Sequence, residues 1–246
     1  MRKARRPAAI AMALALALQL GTVVPAAAAG INSTAGYENG NSPLNLNLIA
    51  RYASGQYNVD GGVMEIVAYS QSNGYAYAIN GQSGLLAAIS LENLAAGSSV
   101  ARLSGTDIDV KALVEAADSS FRYGDMTSVA ISPDNTILAA ALQAEGYHDA
   151  GRVALFACNA DGSLTLRGLV ETGVQPDMVT FTPDGSRILT ADEGEPREGY
   201  EAGSVDPAGS VSVIDLASGA VAVLGFGGFD AQTLAGQGVL IGKVNG

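Results

Sequence analysis

Carboxylates are concentrated in one polar segment of this sequence, residues 192–206, which carries six acidic side chains. Three of them, Asp192, Glu193 and Glu195, are close neighbours along the chain. Hard cations such as Ca²⁺ bind roughly six to eight oxygen ligands from carboxylates, carbonyls and water. We therefore predict Asp192, Glu193 and Glu195 as metal ligands, with Ca²⁺ as the metal.

A second acidic series stands at the start of three apolar runs. Glu65, Asp125 and Asp177 occupy these positions, although Asp125 lies two residues earlier relative to its run than the other two. If the runs are the innermost strands of neighbouring sheets, their side chains approach a shared channel. The sequence then predicts a ligand-binding group made of Glu65, Asp125, Asp177, His148 and Arg197.

An ordinary reading of the same residues stays open. The acidic segment could be a solvated loop in which Arg197 pairs with a neighbouring carboxylate, an interaction of small energy at a protein surface. His148, between Tyr147 and Asp149, suits a general base, a metal ligand or a plain surface turn. The sequence contains no nucleophile elbow, phosphate loop or His-Glu-Xaa-Xaa-His motif. It therefore points to no particular reaction.

The elements that would position these residues come from three copies of one pattern. Each copy opens with an apolar run, at 65–70, 127–132 and 177–182. A polar turn and a second apolar run follow, and then a third and a fourth. In the second and third copies the first turn is Pro133-Asp134-Asn135 and Pro183-Asp184-Gly185. Short strands repeating at this length are typical of β-propeller blades.

The copies predict an all-β fold of about three four-stranded antiparallel blades. The fourth strands are expected at 100–103, 164–169 and 221–224, and a helical insertion at 109–121 explains the longer first interval. Propellers close with typically four to eight blades. We therefore expect a partial or truncated propeller with further C-terminal blades in the full-length protein. The alternative is an open array, whose exposed edges favour aggregation.

The first 29 residues have the pattern of a secretory signal peptide. Basic residues at positions 2–6 precede an apolar stretch and a run of alanines, with cleavage expected near Ala28–Ala29. This segment predicts a secreted or cell-surface protein without a transmembrane segment after cleavage. The chain carries 24 acidic and 13 basic residues, and the segment holds none of the acidic ones. Such acidity opposes nucleic-acid binding and favours cations, or merely keeps the protein soluble.

Several strings also resemble a known family, the choice-of-anchor I domain. They are residues 46–55 and 60–67, Tyr123 to Ala130, Gln175 to Gly185, and Glu193 to Tyr200. The family comprises exported bacterial β-propellers with varied C-terminal surface anchors. It is similar to mesenchyme-specific cell-surface glycoproteins, and its members are sometimes labelled alkaline phosphatase-like. The resemblance implies a surface propeller, and it carries over Glu193, Glu195 and Arg197 only as a matching motif.

These observations predict the following organisation: signal peptide at 1–29, linker at 30–45 and partial propeller at 46–246. Blades are expected at about 60–104, 123–173 and 175–225, with a further incomplete segment at 226–246. We expect a binding or display module that holds a cation and an extracellular ligand without turnover. The alternative is a Ca²⁺-dependent phosphoester hydrolase, alkaline phosphatase-like or phytase-like, in which carboxylates hold Ca²⁺ to activate water.

Overall fold

The computed structural model describes residues 48–92, 94, 99–199, 201 and 203–239. The predicted signal peptide and linker lie outside these residues. The chain divides into two compact units. In the smaller one the described residues are 48–50 and 99–101, where the Ala101 backbone N–H donates to the Ile49 carbonyl. The larger unit, Arg51–Leu94 and Arg102–Gly246, contains every predicted site residue.

Three four-stranded antiparallel sheets form the larger unit, and they are blades of a β-propeller, as the sequence predicts. Their strands follow one another in chain order from the inner to the outer edge. Blade 1 comprises β2 (Met64–Ser70), β3 (Tyr75–Asn80), β4 (Leu85–Ser90) and β6 (Gly105–Ile108). Blade 2 comprises β7 (Tyr123–Ile131), β8 (Ile137–Ala144), β9 (Ala150–Cys158) and β10 (Leu164–Val174). Blade 3 comprises β11 (Pro176–Phe181), β12 (Arg187–Asp192), β13 (Ser210–Asp215) and β14 (Val221–Gly225).

The fourth strand of blade 1 differs from the prediction. Residues 100–103 do not complete this sheet; Ala101–Arg102 form a short strand, β5, that pairs with β1 (Ala50–Arg51), and Gly105–Ile108 take the fourth place. The reason is steric, because β6 begins at Gly105, where a Cβ would lie 3.1 Å from the Tyr52 ring and 3.2 Å from the Ala88 carbonyl oxygen. A side chain at this position would require these neighbours to shift by a few tenths of an ångström, so glycine suits the start of β6.

The predicted helical insertion is confirmed as α1 (Val110–Ala117), between blades 1 and 2. The Asp109 carboxylate caps it by accepting a hydrogen bond from the Ala112 backbone N–H at 2.8 Å. Val110 and Val114 are fully buried on its inner face. A second helix, α2 (Ala231–Gly236), follows blade 3 and is exposed. None of the helices in the described residues is long and apolar enough to cross a membrane.

The core lies between the blades, and β8 shows how the sequence builds it. Leu138, Ala140 and Leu142 point toward blade 1, where they pack with Tyr77 and Ile79. The alternate residues Ala139 and Ala141 point toward blade 3 and pack with Val179, Ile188 and Ile214. Side chains of a strand alternate between the two faces of its sheet. An uninterrupted apolar strand therefore indicates a sheet that is covered on both sides.

The hairpin turns that follow the inner strands of blades 2 and 3 share one hydrogen-bonding pattern. The Asp134 carboxylate accepts bonds from the Ser132 hydroxyl at 2.6 Å and the Thr136 backbone N–H at 3.1 Å. In blade 3 the Asp184 carboxylate accepts from the Ser186 backbone N–H at 3.0 Å. The residue after each aspartate, Asn135 or Gly185, has positive φ. Asparagine and glycine tolerate this conformation better than other residues.

Candidate functional site

A single residue, Gln175, connects the outer strand of blade 2 to the inner strand of blade 3. It has φ +55° and is only 2 % exposed. Its side-chain Nε2 donates to the carbonyl oxygens of Tyr147, at 2.6 Å, and Glu195, at 2.8 Å. Its own backbone carbonyl accepts from the Glu193 N–H at 2.9 Å. Gln175 therefore ties the 193–195 segment to both blades.

Arg197 is held by two glutamine side chains. Its Nε donates to Gln175 Oε1 at 3.3 Å, and its Nη2 donates to Gln143 Oε1. Gln143 lies near the end of β8 and is 4 % exposed. The expected pairing of Arg197 with a carboxylate is thus replaced by bonds to two neutral amide oxygens. Among the described residues no carboxylate oxygen lies within 4.0 Å of its guanidinium nitrogens.

Three exposed carboxylates surround this arrangement: Asp177, Glu193 and Glu195. We call them the acidic rim. Asp177 comes two residues after Gln175, and its neighbour Pro176 pairs with Asp192 across the β11–β12 ladder, so Asp177 and Glu193 share one edge of blade 3. Partial burial raises the pKa of Glu193, and the charges of Asp177 and Glu195 raise that pKa further, whereas Arg197 lowers it. The charges of Asp177, Glu195 and Arg197 therefore all influence the protonation of Glu193.

Asp192 is separate from the rim, although it precedes Glu193. It is 3 % exposed, and its carboxylate accepts three hydrogen bonds from the hydroxyls of Thr190, Ser210 and Ser212, at 2.6 to 2.8 Å. Gly173 of β10 crosses directly over it, so that a Cβ there would clash with the Ser210 hydroxyl and the Asp192 carboxylate. The Gly173 N–H donates to Ser212 Oγ at 3.0 Å. This network joins blade 2 to blade 3.

The donor set does not fit the predicted calcium site as the structure arranges it. Both oxygens of Asp192 accept hydroxyl hydrogen bonds inside the sheet, while Glu193 and Glu195 are exposed on the loop. Within the described residues, no three His, Cys, Asp or Glu side chains are grouped as metal ligands. The assignment of Ca²⁺ to Asp192, Glu193 and Glu195 stays a prediction.

The other predicted ligand-binding residues lie at different distances from the rim. Asp125 is the cross-strand partner of Gln143, which contacts Arg197. Glu65 belongs to blade 1, where its side chain lies against Gly62 and Gly81. The structure therefore places Asp177 and Arg197 where both charges act on Glu193, places Asp125 opposite Gln143, and leaves Glu65 in its own blade.

His148 lies on the loop between β8 and β9, next to the carbonyl that binds Gln175. Its ring meets the Tyr147 ring edge-on at 5.1 Å, and its Nε2 lies 3.6 Å from the Asp149 carboxylate. It also lines an open cleft of about 420 Å³ with the end of β10, Ser210 and the outer strand β14. Asp177, Glu193, Glu195 and Arg197 do not line this cleft. His148 therefore belongs to this cleft and not to the acidic rim.

The sequence reasoning missed Gln143 and Gln175 as members of the site. Both are neutral residues, whereas the predicted site consists of acidic and basic residues. One signal was present, because Gln175 directly precedes Pro176 at the start of an apolar run. A polar residue between two strands, with no room for a loop, must either be exposed or bond its side chain internally. Gln175 does the latter.

Comparisons with solved structures find proteins of low sequence identity to this chain. Solved structures similar to this chain include hydrazine synthase of Kuenenia stuttgartiensis, with 19 % identity and a TM-score of 0.43 over 66 % of this chain and 37 % of that one. The periplasmic gluconolactonase of Pseudomonas aeruginosa has 19 % identity and a TM-score of 0.43 over 65 % and 38 %. A Lactobacillus plantarum protein has 17 % identity and a TM-score of 0.43 over 65 % and 40 %. The matched part of this chain thus spans well under half of each structure.

A comparison with curated proteins finds no match. The model of the choice-of-anchor I domain matches residues 65–245, which include nearly all of the three blades and every residue of the acidic rim. The match covers most of the chain. The resemblance carried by the strings around Asp125, Asp177 and Glu193 is therefore confirmed, and the chain belongs to the choice-of-anchor I domain family.

Proposed function

We propose that this chain is an exported surface module that binds cationic groups at its acidic rim without turnover. Membership of the choice-of-anchor I family supports a cell-surface role. The observation that carries the binding proposal is the arrangement of Asp177, Glu193 and Glu195 around Gln175. Three carboxylates share one edge there, and partial burial together with the charges of Asp177 and Glu195 raises the pKa of Glu193. A bound cation would relieve the repulsion between these charges.

The overall charge supports the same ligand class. The chain has a formal net charge of −11, and basic residues are few. A surface of this sign attracts cations and repels phosphate backbones and anionic lipids. The partner that we expect is therefore an extracellular ligand with exposed positive groups.

Isothermal titration with butylammonium and, separately, with Ca²⁺ tests the proposal. The variant Glu193→Gln removes one charge from the rim, and Asp107→Asn removes one charge from the exposed strand β6 of blade 1. We expect Glu193→Gln to weaken binding of at least one of the two cations several-fold, and Asp107→Asn to leave it unchanged. Equal binding by both variants would show that general acidity, and not the rim, attracts cations.

The hydrolase alternative uses the same acidic segment, and it would need Ca²⁺ held by Asp192, Glu193 and Glu195 to activate water. A p-nitrophenyl phosphate assay with and without Ca²⁺ decides between the two functions. We expect no turnover. Turnover that disappears with a chelator and in Glu195→Gln would contradict a module that only binds.

Export itself is part of the proposal, because the signal peptide rests on the sequence pattern of residues 1–29. The measurement is the N-terminus of the protein recovered outside the producing cell. Cleavage after Ala28 or Ala29 is expected. An intact N-terminus on protein retained in the cytoplasm would contradict export.

A further inference from the structure

The guanidinium of Arg197 is fixed in place but not neutralised. It uses Nε and one hydrogen of Nη2 to bond the two glutamine oxygens. A guanidinium carries five N–H donors, so both hydrogens of Nη1 and one of Nη2 have no acceptor among the residues that the structure describes. Because no carboxylate of the described residues lies within 4.0 Å of the guanidinium, these N–H donors stay open to a ligand.

The two glutamines that hold Arg197 have little freedom themselves. Gln175 Nε2 donates to two backbone carbonyls, which fixes the amide with its oxygen toward Arg197. Gln143 and Gln175 are both almost fully buried. Binding to a donor group that is already held in position loses less conformational entropy than binding to a free surface arginine.

Opposite charges therefore lie on one loop, where the charges of Glu195 and Arg197 both act on Glu193. Glu193 and Glu195 precede Arg197 by a few residues, and Asp177 lies beside them on the edge of blade 3. A simple anion that approaches Arg197 is repelled by these three carboxylates, and a simple cation that approaches the rim is repelled by Arg197. A ligand with both charges avoids both penalties.

We propose that Arg197 and the acidic rim form one site for a zwitterionic ligand, whose carboxylate bonds the Arg197 guanidinium while its amine lies against Glu193 and Asp177. The inference rests on the proposed function, since it requires that the rim bind cationic groups. It adds the carboxylate as the second determinant. The ligand class comprises amino acids, peptide termini and other molecules with an amine and a carboxylate a few bonds apart.

Three probes of matched skeleton test this proposal on the purified wild-type protein: γ-aminobutyrate, butyrate and butylammonium. Binding is followed by NMR titration at low ionic strength. We expect γ-aminobutyrate to bind about five-fold more tightly than butylammonium, the gain that corresponds to one additional exposed ion pair. Butyrate should bind most weakly. Equal affinities for γ-aminobutyrate and butylammonium would overturn the zwitterion proposal and leave the proposed function intact.

Variants assign the two halves of the site. Arg197→Gln should lower the affinity for γ-aminobutyrate to that for butylammonium, and Arg197→Lys should give an intermediate value, because it keeps the charge but loses the planar donor fork. Glu193→Gln should weaken both amine-bearing probes, and Asp107→Asn should weaken neither. If neither amine-bearing probe binds the wild-type protein, the proposed function itself fails and the zwitterion proposal fails with it.

Discussion

The side chain of Gln175 makes three hydrogen bonds to three different residues, Tyr147, Glu195 and Arg197. These bonds form at the point where the chain passes from blade 2 to blade 3 with positive φ. A neutral buried residue thus determines where the charged loop lies. The charges of the site act on a ligand, whereas Gln175 and Gln143 position them.

Replacing Gln175 by glycine isolates this contribution. Glycine adopts φ +55° freely, so the change removes the side-chain bonds without adding backbone strain. We expect the free energy of unfolding to fall by about 1–3 kcal/mol, the usual cost of leaving buried polar partners unpaired. Denaturant unfolding measures this loss. Proteolysis in the 193–199 segment should also become faster, and unchanged cleavage there would contradict the positioning role.

Two tyrosines of the same core differ in how their hydroxyls are satisfied. The Tyr77 hydroxyl accepts a hydrogen bond from Asn73 Nδ2 at 2.9 Å, whereas the buried Tyr123 hydroxyl has no partner among the described residues. Burial raises the pKa of both phenols, that of Tyr77 to about 12. Both hydroxyls therefore stay protonated at neutral pH.

This difference predicts opposite responses to the same substitution. Tyr123→Phe should leave the free energy of unfolding unchanged or raise it by up to about 1 kcal/mol, because it removes an unpaired buried hydroxyl. Tyr77→Phe should lower it by about 1 kcal/mol, because it removes a hydrogen bond. Urea unfolding of the two variants compares them directly. A larger loss for Tyr123→Phe than for Tyr77→Phe would contradict the assignment.

Among the structural elements, the hairpin turn between β11 and β12 is held by hydrogen bonds to a carboxylate that titrates at low pH. Hydrogen bonds from the Thr182 and Ser186 hydroxyls and the Ser186 N–H lower the pKa of Asp184 to about 2, from an ordinary value near 4. A lowered pKa in the folded state means that the ionised carboxylate stabilises the fold above pH about 4. This contribution is lost as the pH falls through about 2.

Asp184→Asn removes the titrating group but keeps a side-chain oxygen in the turn. Wild type should be more stable than the variant at pH 5, and the difference should shrink steadily as the pH is lowered toward about 2. Thermal unfolding at a series of pH values measures it. A difference that stays constant or grows with acidification would contradict a lowered pKa of Asp184 in the folded state.

The matching turn in blade 2 also holds blade 1. The Asn135 side-chain oxygen accepts from the Gln71 N–H at 2.9 Å, and its backbone carbonyl accepts from the Ser70 and Ser72 hydroxyls, at 3.1 and 2.7 Å. Nearby, Asn73 Nδ2 donates to the Asn159 carbonyl at 2.8 Å. The turns of two blades therefore interlock through hydrogen bonds at the edge of their shared apolar core.

Asn135→Gly keeps the positive φ and removes the side-chain oxygen that accepts from the Gln71 N–H, together with the bond from Asn135 Nδ2 to the Pro133 carbonyl. We expect it to lower the free energy of unfolding by about 1 kcal/mol, and hydrogen exchange at the Gln71 amide to become faster. Asn135→Asp, which keeps the acceptor oxygen, is the control. Faster exchange at Gln71 in both variants to the same extent would show that the side-chain oxygen is not what holds the blades together.

For the molecule as a whole, the sheets were predictable because local pattern decides them. The apolar run of β8 and the Pro-Asp turns are patterns among residues that are neighbours in the sequence, and such patterns indicate strands and hairpins without contacts from other blades. The fourth strand of blade 1 was misplaced because Val100 to Leu103 and Gly105 to Ile108 compete for one edge. Gly105 packs closely against Tyr52 and Ile89, which are distant in sequence, so no local pattern indicates that the strand starts there.

The site was less predictable for a related reason. The sequence groups Asp192 with Glu193 and Glu195, yet Asp192 turns into the sheet because Gly173, Ser210 and Ser212 surround it there. Likewise, the bonds of Arg197 to Gln143 and Gln175 join residues 54 and 22 positions apart. Such pairings arise only when blades 2 and 3 pack together, so no local pattern indicates them.

The proposed role of the whole molecule depends on the loop held by Gln175, which presents the carboxylates of the acidic rim to a positively charged ligand. Amide chemical shifts of the isotopically labelled protein, followed during a butylammonium titration, show where such a ligand binds. We expect saturable shifts concentrated at Asp177, Glu193, Glu195 and their immediate neighbours. Shifts spread evenly over other exposed acids such as Asp107 and Glu92, or no saturable shift at any amide, would contradict binding at the rim.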